Sequence, residues 1–271
     1  MKIEYREAKS IATKSNIPGI DYVINPYIGC QHACIYCYAE FMIRFTNHKG
    51  DQWGQFLDIK KYDFNKFKPQ KYNGKNILLS SVTDPYIPLE LKYQNTRKIL
   101  ENLISTTAHI SILTKSKLVT RDIELFAQFK NLEVGISIST LEEKFAKLVE
   151  KGASRPSERL NALKEIHNNG IKTYTFISPF FPGITDYKAI IQETQDYTDS
   201  YMFENLNFRP HNIPRIYNAI QHYDSNLLPM YKAFNRDNSN WDALASDIDK
   251  YCKRLNIEYS IEFHHGGFSK S

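Results

Sequence analysis

Residues 25–41 read NPYIGCQHACIYCYAEF and place three cysteines, Cys30, Cys34 and Cys37, within one short loop-like stretch. Three thiolates this close together can each hold one iron of a cubane iron–sulfur cluster. The fourth iron then has no protein ligand, and an open coordination position is typical of catalytic metal sites. The stretch therefore predicts a metal site that leaves one position free for a second molecule.

Structural zinc is the alternative for the same cysteines, because His32 or His48 would supply a fourth ligand. A non-catalytic, zinc-stabilised nucleic-acid-binding protein would also account for the formal net charge of +5. However, His32 stands between two of the cysteines, a cramped spacing for a zinc knuckle. An electron-transfer ferredoxin cluster is another alternative, but such a cluster normally needs four cysteines. The remaining cysteine, Cys252, falls on the apolar side of a helical pattern and is predicted to be a buried structural thiol.

The composition is that of an ordinary globular protein, with 271 residues, 42% hydrophobic and 24% charged. This length suits one large domain that needs no disulfide bonds. No run approaches the roughly 18 apolar residues of a membrane-spanning helix, and the charged start, MKIEYREAKSIATK, lacks the apolar core of a signal peptide. We therefore expect a cytoplasmic protein without a membrane partner.

Apolar, β-rich runs alternate with helical patterns through the first three quarters of the chain. Strands are predicted at Tyr22–Asn25, Asn76–Ser80, His109–Leu113, Leu132–Ile138, Lys172–Ile177 and Tyr201–Asn207. Helices are predicted at Ala39–Asn47, Asn95–Thr106, Thr120–Lys130, Ser157–Asn169 and Tyr187–Thr198. Such an alternation predicts an α/β fold with a parallel sheet. In βα barrels the loops that follow the strands carry the chemistry.

The pattern changes after residue 207, where prolines interrupt the chain. A helix is predicted near Trp241–Arg254, and a last strand, Glu258–Phe263, leads into His264 and His265. We expect residues 1–207 to form the barrel and residues 208–271 to form a C-terminal cap packed on it. One of the two histidines would then reach the cavity as a proton donor or substrate contact, or both would lie on the surface.

Residues 60–75 look like an insertion before the second barrel strand. Six lysines alternate there with Tyr62, Phe64, Phe67 and Tyr72. Such a segment would suit a nucleic-acid substrate, with lysines on phosphates and aromatic rings on bases. The interpretation we favour is a solvated loop whose aromatic side chains pack on the barrel.

Four further segments follow the cysteine motif in order across residues 20–190. They are SSVTDPYIPLELKYQNTRKILENL, ILTKSKLVTRDIELF, VGISIST and SERLNALKEIHNNGIKTYTFISPFFPGITD. Together with the cysteines they resemble the radical S-adenosylmethionine (SAM) superfamily, and within it the spore photoproduct lyase-like branch, often labelled DNA repair photolyases. The resemblance implies a partial (β/α)6 barrel with one 4Fe–4S cluster on Cys30, Cys34 and Cys37. It also implies that SAM fills the open iron position and is cleaved to a 5′-deoxyadenosyl radical, which abstracts hydrogen from a substrate.

The resemblance implies a set of SAM contacts at the tips of the strands. Thr83 and Asp84 match the region of the family that binds the SAM amino group. Lys115, in LTKS, matches a SAM-contacting lysine, and Ser137, in VGISIST, matches a serine that contacts SAM. The alternatives are a turn before a proline for Thr83 and Asp84, and a solvated loop for Lys115.

Three more residues are candidates for cofactor binding. Arg159 suits the SAM carboxylate, because a guanidinium fork matches that group; the alternative is a solvated residue near a helix start. Tyr36 and Tyr38 flank Cys37, where an aromatic residue commonly packs against the adenine or the cluster in this superfamily.

One departure from the family concerns the reaction. Spore photoproduct lyases carry a further cysteine at the tip of the second strand, which returns a hydrogen atom to the repaired thymine. The corresponding stretch here, Ser80–Thr83, has no cysteine. We therefore expect a different reaction; our leading hypothesis leaves the substrate unidentified, with a nucleic acid or nucleotide as one candidate class.

Two protein partners follow from the resemblance. Radical SAM chemistry needs an electron donor such as flavodoxin or ferredoxin. The chain is also similar to short members of this branch that are encoded as adjacent pairs on bacterial mobile elements, which implies a second radical SAM protein as a partner.

Overall fold

The strands of the computed structural model, which describes residues 1–263, form two separate sheets. In chain order the strands are β1 (Lys2–Ala8), β2 (Thr13–Lys14), β3 (Tyr22–Ile24), β4 (Tyr27–Ile28), β5 (Phe56–Tyr62), β6 (Asn76–Leu79), β7 (His109–Thr114), β8 (Leu132–Ser137), β9 (Lys172–Phe180), β10 (Ser200–Asn205) and β11 (Tyr259–Glu262).

Helices follow most strands of the larger sheet. The α-helices are α1 (Glu90–Tyr93), α2 (Asn95–Leu103), α3 (Ile123–Phe126), α4 (Glu143–Val149), α5 (Pro156–Asn168), α6 (Tyr187–Thr194), α7 (Ile213–Tyr223), α8 (Leu228–Arg236) and α9 (Ser239–Leu255). Short 3₁₀ helices span Tyr38–Phe45, Phe64–Lys66, Pro69–Tyr72, Lys117–Asp122, Gln195–Tyr197 and Ser225–Leu227.

The larger sheet has eight strands in the order β11-β10-β9-β8-β7-β6-β3-β2. All neighbouring pairs from β3 to β11 are parallel, and only β2 runs antiparallel to its neighbour β3. Within residues 1–263 the sheet does not close into a ring, so the predicted partial βα barrel is confirmed. Because the strands are parallel, their C-terminal ends meet at one edge, where the loops of interest gather.

The last strand joins the barrel sheet itself. Strand β11 pairs in parallel with β10, with Tyr259 opposite Tyr201. The C-terminal region, expected to form a cap packed on the barrel, therefore supplies a seventh parallel strand, and its role as a cap stays a prediction. Cys252, on α9, is fully buried in the main hydrophobic core, as predicted. His264 and His265 lie outside the described residues.

The smaller sheet was not predicted. It has the order β1-β5-β4, and β1 pairs with β5 in parallel. Its centre holds the buried carboxylate of Asp58, whose oxygens lie 2.5 Å from Arg6 Nε and 2.9 Å from His48 Nε2. Strand β5 includes the first residues of the predicted insertion, so that segment is part of a sheet rather than a loop throughout.

The aromatic residues of the insertion pack inward. Tyr72 is buried, and its ring stacks on that of Phe67 with centroids 5.5 Å apart. Tyr62, Phe64 and Phe67 are partly buried against the main core. The predicted packing of the aromatic rings is confirmed, whereas the predicted loop is partly strand and 3₁₀ helix.

Two predicted helices differ from the structure. The stretch predicted as Ala39–Asn47 is the 3₁₀ helix Tyr38–Phe45, in which Tyr38, Phe41 and Arg44 are exposed at intervals of three residues and the last residue, Phe45, is exposed as well. Three residues per turn is the period of a 3₁₀ helix. The stretch predicted as Thr120–Lys130 is a 3₁₀ turn followed by the short helix α3.

Residues 1–263 include no helix that is both long enough and apolar enough to cross a membrane.

Candidate functional site

The cysteine loop, residues 29–37, lies at the edge where the parallel strands end. Thr83, just beyond the end of β6, donates a hydrogen bond from Oγ1 to the carbonyl of Gly29 at 2.6 Å. Gly29 has a φ of +93°, and a Cβ there would lie 2.6 Å from the carbonyl oxygen of Phe56. Only glycine fits this approach, so the first turn of the loop is fixed between the two sheets.

The turn after α4 holds the other side of the cysteine loop. Ile35 donates its backbone N–H to the carbonyl of Val149 at 2.9 Å, and Gly152 donates to the carbonyl of His32 at 3.0 Å. A Cβ at Gly152 would lie 2.0 Å from the carbonyl oxygen of Gln31. The two backbones therefore touch, and the positions of the cysteines depend on this turn.

The three cysteines are free thiols in a largely apolar setting. Burial raises the pKa of all three, to about 12 for Cys34. Asp84 raises the pKa of Cys30 further, whereas the ammonium group of Lys115 lowers those of Cys34 and Cys37. Iron binding would displace the thiol protons, and the positive charge of the iron would stabilise the buried thiolates.

The contacts of two histidines bear on the zinc alternative. The histidines considered as fourth ligands are engaged elsewhere. His32 Nδ1 lies 3.3 Å from Asp84 Oδ2, and His48 contacts Asp51 and Asp58 through its two ring nitrogens. The cysteine loop therefore fits a cubane held by three thiolates.

A buried carboxylate, Glu150, lies between the cysteine loop and the barrel. It accepts hydrogen bonds from Arg159 Nη2, from the Tyr36 hydroxyl and, at 3.2 Å, from Ser139 Oγ. Burial alone would raise the pKa of Glu150, but Arg159 and Lys115 outweigh it and hold the pKa below its usual value. We call Glu150, Arg159, Tyr36 and Ser139 the Glu150 cluster.

Arg159 is the cation of this cluster and is buried on α5. Its Nε donates to the carbonyl of Ser154 at 2.8 Å, its Nη1 donates to the carbonyl of Ser137 at 3.0 Å, and its Nη2 donates to Glu150. All three guanidinium nitrogens thus bind oxygens of the protein. Arg159 ties the tip of β8 to the turn that clamps the cysteine loop.

Asp84 is a second structural centre of the site. Its carboxylate accepts hydrogen bonds from Thr114 Oγ1 at 2.7 Å, from the Lys115 backbone N–H at 2.9 Å and from the Tyr86 backbone N–H at 2.8 Å. It also faces His32, whose pKa is lowered by burial. Asp84 therefore joins the tips of β6 and β7 beneath the cysteine loop.

The remaining predicted residues lie around the same edge. Lys115 Nζ lies 5.9 Å from the centre of the Tyr36 ring, close enough to influence two of the thiols. Ser137 Oγ donates to the carbonyl of Ser178 at 2.9 Å. Tyr38 is exposed, and its hydroxyl donates to the carbonyl of Ser81.

The seven predicted SAM-site residues thus gather at one edge of the sheet, although their roles toward SAM stay predictions. Sequence reasoning missed Glu150, Ser139 and the Asp84–His32 contact. Glu150 stands in the stretch VEKGAS, whose charged residues and glycine are typical of an exposed turn. The one available signal was the glycine, which here marks a close approach of two backbones.

Comparison with known proteins assigns this arrangement to a family. The model of the radical SAM superfamily matches residues 24–192. The chain belongs to the radical SAM superfamily. It is therefore an enzyme that uses radical chemistry, and the superfamily implies a 4Fe–4S cluster and SAM as cofactors.

Two relatives of this radical SAM chain have no assigned activity. An uncharacterized protein of Methanocaldococcus jannaschii is 44% identical over 203 residues, which cover 75% of this chain and 77% of that protein. An uncharacterized protein of Acidianus two-tailed virus is 37% identical over 171 residues, 59% of this chain and 56% of that protein.

Solved radical SAM structures share the fold. Spore photoproduct lyase in complex with dinucleoside spore photoproduct superposes with a TM-score of 0.67 at 13% identity, covering 97% of this chain and 82% of that one. SuiB of Streptococcus suis bound to SAM superposes with a TM-score of 0.56 at 13% identity, covering 90% of this chain and 50% of that one. At such identities the likeness concerns the fold alone.

Proposed function

We propose that Cys30, Cys34 and Cys37 hold one 4Fe–4S cluster and that SAM occupies its open iron. When bound, the cluster would supply the electron that splits SAM into methionine and a 5′-deoxyadenosyl radical able to abstract hydrogen from the substrate. The task of the chain is to position SAM and to exclude water from the radical.

The observation that carries this proposal is the cysteine loop with its three free thiols. It lies at the C-terminal edge of the strands, the end at which βα barrels build active sites. Lys115 is a cation that stands near two of the three thiols. The same edge carries hydroxyl and amide groups that suit a polar cosubstrate.

The residues around the cysteine loop take different parts in this proposal. Lys115 and the exposed Tyr38 are the proposed side-chain contacts for SAM. Thr83 and Asp84, whose side chains bind the loop and the tip of β7, act by holding those elements in place. Arg159 acts in the same way through Glu150, because its guanidinium nitrogens are already engaged.

The test is anaerobic incubation of the iron-loaded enzyme with SAM and dithionite, followed by measurement of 5′-deoxyadenosine. We expect the wild type and Cys252→Ala to form deoxyadenosine, and Cys34→Ala to form none. Cys252 is the matched control because it is a buried cysteine in the main core. Deoxyadenosine formation by Cys34→Ala at the wild-type rate, or none by iron-loaded wild type, would contradict the proposal.

We further propose that the reaction is not thymine repair by the route of spore photoproduct lyases. A carbon radical left after lesion cleavage needs a hydrogen donor, and Ser80–Thr83 offers hydroxyl groups, whose O–H bonds are too strong. Cys252 is buried on α9, the Tyr36 hydroxyl is held by Glu150, and the Tyr38 hydroxyl donates to the carbonyl of Ser81. Supplied with dinucleoside spore photoproduct, SAM and reductant, the enzyme should release deoxyadenosine without multiple-turnover repair; efficient repair would overturn this part.

The proposed partners are an electron donor such as flavodoxin or ferredoxin, a second radical SAM protein and a nucleic-acid or nucleotide substrate.

The nucleic-acid substrate is supported by the exposed lysines of residues 60–75. The aromatic rings between these lysines add no support, because they are directed to the core. Contacts from lysines alone would read phosphates and not bases. Salt-dependent binding of single-stranded oligonucleotides, weakened uniformly across sequences by Lys66→Glu and Lys68→Glu, is the expected result. Binding that is unaffected by salt and by both substitutions would contradict a nucleic-acid substrate at this segment.

A further inference from the structure

The chain contains two tryptophans, and both are buried, yet their indole groups differ in one respect. Trp241 Nε1 donates a hydrogen bond to the carbonyl of Phe234 at 3.1 Å. Trp53 Nε1 is buried and has no hydrogen-bond partner among the described residues. An unsatisfied buried donor is costly, so an indole N–H in this state calls for a physical explanation.

Trp53 lies directly against the cysteine loop. It belongs to a small hydrophobic cluster that includes Cys30 and Phe56, and Cys37 packs on the same cluster. Its ring meets that of Phe56 edge to face, with centroids 5.8 Å apart. The next residue, Gly54, has a φ of +90°, and a Cβ there would lie 2.5 Å from Cβ of Ala33. The indole is therefore held in place by the loop that it touches.

The unpartnered indole N–H lies in the apolar cluster on which Cys37 packs. A neutral thiol is a weak acceptor, which explains why the N–H has no satisfactory partner in the protein alone. A thiolate that ligates iron is a better acceptor, because it carries negative charge.

We propose that the indole N–H of Trp53 donates a hydrogen bond to the sulfur of Cys37 once iron is bound, and so raises the reduction potential of the site. The inference rests on the proposed function. Hydrogen bonds to cluster sulfurs tune the potential, because they stabilise the state with more negative charge. Trp53 touches a ligand and not the reacting atoms, so it is a positioning and tuning residue.

The step that this hydrogen bond favours is a single electron transfer. An external reductant, such as reduced flavodoxin or dithionite, loses one electron, and the site on the three cysteines gains it. No covalent bond forms or breaks in this step. With the indole N–H present, less reducing power is needed for the same extent of reduction.

The test compares Trp53→Phe with Trp241→Phe in the iron-loaded enzyme. Phenylalanine keeps an aromatic ring in each core and removes the N–H. A potentiometric titration followed by electron paramagnetic resonance should give a more negative midpoint potential for Trp53→Phe and an unchanged midpoint for Trp241→Phe. An unchanged midpoint in Trp53→Phe with full iron content, or an equal shift in both variants, would overturn the proposal.

A second measurement covers the case in which Trp53→Phe loses its iron. Wild-type holoenzyme labelled with ¹⁵N in the tryptophan indole is reduced, and pulsed electron paramagnetic resonance is used to detect nitrogen coupled to the unpaired spin. We expect a ¹⁵N coupling in the wild type and in Trp241→Phe. Its absence from the reduced, fully loaded wild type would overturn the proposal. Failure of the proposed function is distinguishable, because no preparation would then show the spin of a reduced cluster.

Discussion

Glu150 and Asp122 are both fully buried carboxylates neutralised by arginine, and their surroundings differ. Asp122 accepts hydrogen bonds from Arg97 and Arg121, and Arg121 also binds the buried Glu90. We call Asp122, Arg97, Arg121 and Glu90 the Asp122 cluster. The side chains of Arg97 and Arg121 are 26% and 19% exposed. In the Glu150 cluster, by contrast, the side chain of Arg159 is only 2% exposed.

The two clusters also differ in what they hold. The Asp122 cluster joins the start of α2 to the 3₁₀ turn after β7. The Glu150 cluster joins α5 to Tyr36 inside the cysteine loop, and Glu150 itself raises the pKa of Cys34. Similar chemistry thus serves helix packing in one place and the proposed metal site in the other. The function of a buried ion pair therefore depends on the groups that surround it.

The largest effect is expected from Glu150→Ala. Arg159 would be left buried without its carboxylate, which costs about 3–5 kcal/mol in the free energy of unfolding. The Tyr36 hydroxyl would lose its acceptor as well, so we expect iron content to fall with stability. Urea unfolding of the iron-free protein and iron analysis after anaerobic purification measure the two effects. Full iron content with wild-type stability would show that the Glu150 cluster does not support the loop.

Asp122→Asn should cost less stability and leave the metal site intact. Arg97 and Arg121 are partly exposed and keep other carboxylate partners, so we expect a loss of about 1–3 kcal/mol in the free energy of unfolding. Iron content per folded chain should equal that of the wild type. A parallel loss of iron would break the distinction between the two clusters.

The smallest change in stability is expected from the double variant Glu150→Met with Arg159→Met. Replacing both members of a buried ion pair by apolar groups of similar size is often neutral or stabilising. We therefore expect the double variant to recover most of the stability lost in Glu150→Ala. Iron content should stay low, because the Tyr36 hydroxyl and the Ser137 carbonyl still lack their partners. Recovery of both properties would mean that the cluster serves the fold alone.

Much of the barrel was predictable, because each strand and the helix after it are encoded in one continuous stretch of sequence. The strand predicted at His109–Leu113 is β7, one residue longer, and the helix predicted at Ser157–Asn169 is α5, shifted by one residue. The cysteine motif and the strand-tip residues follow from position in this alternating pattern. Sequence reasoning therefore found the edge of the sheet at which the candidate site lies.

The features that were missed depend on distant contacts. Strand β1 pairs with β5, so that Lys2 lies opposite Phe56, and its charged sequence KIEYREA gives no sign of a partner. Glu150 is buried only because the cysteine loop and Arg159 cover it. The unpaired indole of Trp53 is visible only in three dimensions. In each case the burial of a group depends on segments far away in the chain.

The most direct test of the account is the metal content of the protein purified without oxygen from an iron-replete host. With Cys30, Cys34 and Cys37 as ligands, we expect a brown protein with about four irons and four sulfides per chain. Alanine at any of the three should abolish the colour and the iron, whereas Cys252→Ala should keep both. Stoichiometric zinc in place of iron, or wild-type iron content in Cys34→Ala, would contradict the central claim.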